Sequence, residues 1–134
     1  MEEILFEQSW FSHTKDGIFL CGSKCKACGK TFFPKKRVCL NCFDDQLIDV
    51  LLSRRGKLHT FAIAHIGIPE IETPYVMGFI DLPEKIKLYS ILTDCEPWNE
   101  RLKIDMEMEM VMGVIRHNPG QNIISYKFRP VKEI

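Results

Sequence analysis

Two short sulfur hooks, Cys25-Lys26-Ala27-Cys28 and Cys39-Leu40-Asn41-Cys42, constrain this chain more than any other feature, and only residues 29–38 separate them. Hooks of this kind at so short a spacing converge on one tetrahedral ion with metal–sulfur bonds of ~2.3 Å. Gly29 and Lys30 follow the first hook, and a glycine there permits the positive φ that turns backbone amides toward the sulfurs. Four thiolates fill the tetrahedron and leave no position for water or substrate. The spacing therefore predicts one structural zinc ion per chain on Cys25, Cys28, Cys39 and Cys42, with any chemistry lying elsewhere.

Other uses of the same residues are weaker. No basic, apolar signal segment follows Met1-Glu2-Glu3, and no stretch approaches the length of a membrane span. A cytoplasmic protein is expected, and disulfides are rare there. Four thiolates also serve iron in rubredoxin-like sites, so both ions stay open, with zinc the usual occupant. Cys21 reads as part of a turn, Cys21-Gly22-Ser23, that enters the metal module. Cys95 has no histidine near it in sequence and reads as a bystander thiol, with a nucleophilic role left open.

The 134 residues suit one compact domain with a small appendage, and a content of 46% hydrophobic and 27% charged residues is ordinary for a globular protein. Zero formal net charge gives no global attraction to nucleic acid or anionic membrane. Locally the balance differs: residues 17–43 carry Lys24, Lys26, Lys30, Lys35, Lys36 and Arg37 and no acidic residue. These cations balance a dianionic metal–thiolate centre and solvate the module. The alternative is a phosphate contact, on nucleic acid or on a nucleotide-bearing cofactor, with Lys35, Lys36 and Arg37 as the candidate residues.

Along the chain, residues 3–12 have helical character: Ile4, Gln8 and Phe11 share one face, and the acidic first turn suits a helix dipole. A strand at 18–20, the first hook, Thr31-Phe32-Phe33 and the second hook follow the plan of a zinc ribbon, a module whose folding rests on its metal. Beyond residue 47 come short β segments at 49–53, 57–66, 74–82, 87–92, 102–115 and 123–128, with Gly and Pro turns between them. In the second of these, Leu58, Thr60, Ala62, Ala64 and Ile66 alternate onto one face. Met106-Glu107-Met108-Glu109-Met110 alternates at strand period, methionines inward and glutamates to water. A short helix is expected at 98–102. The expected fold is mainly β: an N-terminal helical segment (1–16), a zinc ribbon (17–46) and a five-stranded Greek-key OB-fold barrel (47–134).

No catalytic set emerges. His13, His59, His65 and His117 show neither metal spacing nor a paired nucleophile, and Glu107 with Glu109 reads as a solvated or partner-facing strand edge.

One ordered set of motifs goes further. Ser9-Trp10-Phe11, Gly22-Ser23-Lys24-Cys25-Lys26-Ala27-Cys28-Gly29, Phe32-Phe33-Pro34, Gly56-Lys57-Leu58-His59-Thr60, Pro74-Tyr75-Val76-Met77-Gly78, Asp81-Leu82-Pro83 and Tyr126-Lys127-Phe128-Arg129-Pro130 run through nearly the whole chain. Together they resemble the acyl-CoA-associated family with a rubredoxin-like zinc ribbon and an OB-fold. The chain departs from that pattern at Asp105, where the family usually has glycine. The resemblance implies a companion subunit of thiolase-fold enzymes acting on C–C bonds of CoA thioesters, benzoylsuccinyl-CoA thiolase among them. It also implies that the nucleophilic cysteine sits on the partner, in a hetero-oligomer that holds an acyl-CoA. Two other readings stay open: a single-stranded nucleic-acid-binding module, and a stand-alone acyl-CoA-binding or acyl-CoA-hydrolysing protein.

Overall fold

A computed structural model describes residues 2–95 and 102–131 of the chain. Its residues fall into two compact units: one of Met1–Phe6, Arg55–Asp81 and Lys87–Ile134, the other of Glu7–Arg54 with Leu82–Ile86.

The expected N-terminal helix is not there. Residues 3–12 are split between strand β1 (Glu2–Leu5), a single 3-10 turn (Gln8–Trp10) and the start of strand β2 (Phe11–Thr14). Two things override the helical spacing. The backbone of Glu2–Leu5 finds a parallel ladder on Gln121–Ile124, and Glu7 adopts a left-handed φ of 46° that no α-helix can continue. The helix expected at 98–102 lies, except for Leu102, outside the described residues.

Strand β3 (Gly17–Cys25) is the spine of the ribbon unit. Its first half pairs with β2, closing a tight hairpin at Thr14↔Gly17, where Thr14 Oγ1 donates to the Gly17 carbonyl at 2.9 Å. Its second half lies between β4 (Thr31–Phe32) and β5 (Leu47–Leu51). The segment read from sequence as 49–53 is thus β5, a partner of β3. Being central, β3 buries Leu20, Cys21, Ser23 and Cys25 almost completely, with Phe11 and Leu52 beside them in the small core. Trp10 meets Phe33 edge to face at 5.2 Å, which gives its ring a place without a helix.

The other unit is a closed barrel of β6 (Arg55–Ala64), β7 (Tyr75–Asp81), β8 (Lys87–Leu92), β9 (Glu107–Asn118) and β10 (Gln121–Pro130), in ring order β6-β7-β8-β10-β9, with β1 added along β10. β10 therefore serves three neighbours. Closure removes free edges, and the interior is filled by Leu58, Val76, Ile80, Leu88, Leu92, Met108, Met110 and Phe128, all at most 4% exposed. Met108 and Met110 point inward, as the alternation predicts, and Glu107 and Glu109 take the other face.

The alternation expected along 57–66 fails at one residue. The β6–β7 register slips between Leu58 and Thr60, making His59 a bulge. Leu58 and Ala64 are buried as expected, but Thr60 and Ala62 between them emerge exposed next to the extra residue. Gly78 sits across from this irregularity, and a Cβ there would lie 2.4 Å from the Thr60 carbonyl oxygen. Asp105 has φ 69°, in the tight turn where its amide donates to the Leu58 carbonyl at 2.8 Å. That left-handed backbone is the physical reason a glycine suits this position.

Candidate metal centre and its surroundings

The two hooks are built to one plan. In the first, the Gly29 amide donates to the Cys25 carbonyl and the Cys25 amide to the Lys30 carbonyl, both at 2.9 Å. In the second, the Phe43 amide donates to the Cys39 carbonyl at 2.9 Å and the Cys39 amide to the Asp44 carbonyl at 2.8 Å. The residue after each second cysteine is left-handed: Gly29 with φ 79° and Phe43 with φ 66°. Only the glycine was legible as such in the sequence.

These loops bring Cys25, Cys28, Cys39 and Cys42 together with all sulfurs within 4.8 Å of one another. Contacts cross between hooks, Cys25 Sγ to Cys42 Sγ at 3.6 Å and Cys28 Sγ to Cys39 Sγ at 3.5 Å. A tetrahedron with ~2.3 Å arms has edges of ~3.8 Å, so the set fits zinc, while a disulfide needs ~2.05 Å. The leading cysteine of each hook is buried and the trailing one exposed. Cys39 Sγ accepts the amides of Asn41 and Cys42, each at 3.4 Å, which stabilises a thiolate.

The sulfurs differ in acidity. The Lys30 amide, then Asn41, hold the Cys28 thiol down at about 6. At Cys42 the Asp44 amide also pulls downward, but local desolvation of the sulfur and the neighbouring sulfurs of Cys25, Cys39 and Cys28 outweigh it and push the thiol up to about 12. A divalent ion on the cluster replaces these protons with a charge that all four sulfurs share.

Of the cations singled out for phosphate, Lys35 is engaged: its Nζ lies 3.1 Å from Asp49 Oδ2, which raises its affinity for the proton. Lys36 and Arg37 are exposed beside the second hook, and the Lys36 amide donates to the buried Ser23 hydroxyl at 2.9 Å. That bond explains a buried serine in the middle of β3.

The remaining candidates are not brought together into a reactive set. Burial, then the charge of Asp94, pushes the Cys95 thiol up, away from the thiolate a nucleophile needs. Glu109 accepts from Arg129 Nε at 2.9 Å and Glu107 lies 3.7 Å from Arg55, so both carboxylates are tied into an ion network with Asp94. His59 Nδ1 lies 2.9 Å from Asp81 Oδ2 across β6 and β7, a pair sequence reading missed because it depends on the β6–β7 register. Phe79 and Tyr89, both partly exposed, meet edge to face at 5.8 Å on the β7–β8 face. No helix among the described residues is long and apolar enough to cross a membrane.

Comparison with known proteins agrees with this architecture. The family profile of the ChsH2 rubredoxin-like zinc ribbon domain matches residues 20–47, and that of the ChsH2 C-terminal OB-fold domain matches residues 49–113. The benzoylsuccinyl-CoA thiolase subunit BbsA of Thauera aromatica is 40% identical over 114 residues, covering 84% of this chain and 77% of that protein. A DUF35 domain-containing scaffold protein of Methanocaldococcus jannaschii is 32% identical over 130 residues, covering 93% and 90%. Among solved structures, the Ltp2-ChsH2(DUF35) aldolase shares the fold, with a TM-score of 0.68 at 24% identity over 84% of each chain. The chain belongs to the ChsH2-type DUF35 family, in which a rubredoxin-like zinc ribbon precedes an OB-fold.

Proposed function

We propose that this chain is the non-catalytic zinc-ribbon and OB-fold subunit of a cytoplasmic, heteromeric thiolase-like complex that makes or breaks C–C bonds in CoA thioesters. Benzoylsuccinyl-CoA thiolase is the first system to test. The observation that carries the reading is the 40% identity, over 84% of the chain, to a subunit of that enzyme. In this reading the thiolase-fold partner supplies the nucleophile, while the present chain supports assembly and helps to shape the acyl-CoA channel.

One zinc ion per chain is held by Cys25, Cys28, Cys39 and Cys42. Bound there it supplies folding free energy to the ribbon and no open coordination site for substrate. Of the basic run Lys35, Lys36 and Arg37, a contact to the phosphates of coenzyme A falls first to Lys36 and Arg37, since Lys35 is held by Asp49. The stretch is poor in carboxylates, which suits a phosphate.

The test is co-expression with a thiolase-fold protein of the same genome, followed by mass determination of the complex and assay of benzoylsuccinyl-CoA cleavage. The expected result is a stable hetero-oligomer in which thiolysis needs both chains. A chain that stays apart from every thiolase-fold protein of its genome overturns the proposal. Elemental analysis is expected to give one zinc per chain.

A further inference from the structure

The four sulfurs of the metal centre are not equally reachable. Cys25 and Cys39 are fully buried, whereas Cys28 and Cys42 are exposed. The short contacts across the centre each join one of either kind: Cys42 Sγ meets Cys25 Sγ at 3.6 Å, and Cys28 Sγ meets Cys39 Sγ at 3.5 Å. An exposed sulfur beside a buried one suits oxidation, because the first meets the oxidant and the second resolves the product as a disulfide. The centre holds two such pairs, and both run between the hooks. Side-chain rotation closes either contact to the ~2.05 Å of a disulfide. Bonding between hooks also decides what survives loss of the ion. The described residues 33–46 contain no strand to hold the second hook in place. Bonds Cys25–Cys42 and Cys28–Cys39 join the hooks through the same four atoms that an ion does. Bonds within the hooks, Cys25–Cys28 and Cys39–Cys42, leave them unjoined by sulfur.

We propose that the ribbon is a peroxide-responsive switch that exchanges its zinc ion for two disulfides, Cys25–Cys42 and Cys28–Cys39. This rests on the zinc site proposed above and not on the identity of the partner subunit. In each pair the exposed thiolate attacks a hydroperoxide: an S–O bond forms, the O–O bond breaks and hydroxide leaves. The buried thiolate then attacks the sulfenic sulfur, so that the S–S bond forms, the S–O bond breaks and a second hydroxide leaves. Four protons from solvent convert the hydroxides to water. Four thiolates are thereby oxidised to two disulfides, two molecules of hydrogen peroxide are reduced to four of water, and the divalent ion goes free. Transient disulfides of this sensing kind are the form that disulfides take in a reducing compartment.

The experiment treats the zinc-loaded full chain with hydrogen peroxide and follows zinc released to a chelating dye, disulfide-linked tryptic peptides, and the amide NMR dispersion of β3 to β5. Trypsin cuts after Lys26, Lys30 and Arg37 but nowhere between Cys39 and Cys42, so the two pairing patterns give different products. Bonds between hooks attach peptides 25–26 and 27–30 both to peptide 38–54, and fragmentation between Leu40 and Asn41 assigns each to its cysteine. Those products are expected, with about two peroxides consumed per zinc released. The oxidised chain is expected to keep the dispersion of β3 to β5 that the chelated, reduced chain loses. Dithiothreitol with added zinc is expected to restore one bound ion per chain. Peptide 25–26 joined to 27–30, with 38–54 closed on itself, overturns the proposal. Bonds through Cys21 or Cys95 do the same, as do sulfinic acids at Cys28 and Cys42 without disulfides, zinc retained under millimolar peroxide, or lost dispersion in the oxidised chain. Each of these leaves the zinc site standing, whereas a full chain that takes up no zinc overturns the site and the switch together.

Discussion

The ribbon and the barrel solve the closure of a short chain by different means. In the ribbon unit, the described residues from Phe33 to Gln46 contain no strand, and they are held by the second carbonyl–amide loop, the convergence of the four sulfurs and a few contacts back to Trp10, Ser23 and Asp49. In the barrel unit, closure is a hydrogen-bonded ring around fully buried aliphatic, aromatic and methionine side chains. With the zinc proposed above, one region depends on an added ion and the other on burial of apolar surface. The contrast teaches where each region is fragile: the ribbon fails at a ligand, the barrel at a side-chain volume.

The largest effect breaks the ribbon. Cys39→Ser removes a fully buried thiol of the proposed zinc site, and structural zinc contributes on the order of 10 kcal/mol to small modules of this kind. Amide NMR spectra are expected to lose dispersion for residues of β3 to β5 while those of β6 to β10 keep theirs; collapse of both sets would end the comparison. Chelation of the wild-type chain is expected to give the same pattern.

Next comes the barrel. Ile80→Ala empties a fully buried site, and is expected to cost about 2–5 kcal/mol in denaturant unfolding followed by tryptophan-independent far-UV circular dichroism. Zinc content should stay unchanged, and loss of zinc in this variant would show that the two means of closure are not separable.

The two hooks sharpen the contrast from within the ribbon. Gly29→Ala places a Cβ at φ 79° and is expected to destabilise by about 1 kcal/mol. Phe43→Gly relieves the same conformation at φ 66°, and its ring is 78% exposed, so stability should hold or rise slightly. Equal losses in the two variants would mean that the Phe43 ring holds the hook in a way its exposure does not suggest. Smallest of all, Asp105→Gly at φ 69° is expected to add a few tenths of a kcal/mol to the barrel, measured as a raised unfolding midpoint.

Legibility followed the same division. Sulfur spacing is a local code, so Cys25, Cys28, Cys39 and Cys42 could be read together without any fold. Strict alternation was equally readable in Met106 to Met110, where Met108 and Met110 do face the core. What could not be read is set by distant backbone. The spacing of Ile4, Gln8 and Phe11 suggests a helix, yet Glu2–Leu5 takes its hydrogen bonds from a strand at the other end of the sequence. Bulges at His59 and Ile115 leave no local signature, because each depends on the register of a partner strand. The His59–Asp81 pair depends on the β6–β7 register in the same way, so it was hidden too.

The pairing of β1 with β10 has a consequence in time. Glu2–Leu5 and Gln121–Ile124 come from opposite ends of the sequence, so their ladder is among the costliest to close and cannot nucleate folding. During synthesis, residues 2–5 must wait unpaired until the ribosome has delivered residue 124. The strand made first can be placed only after β10, its partner and a stave of the barrel, has been made.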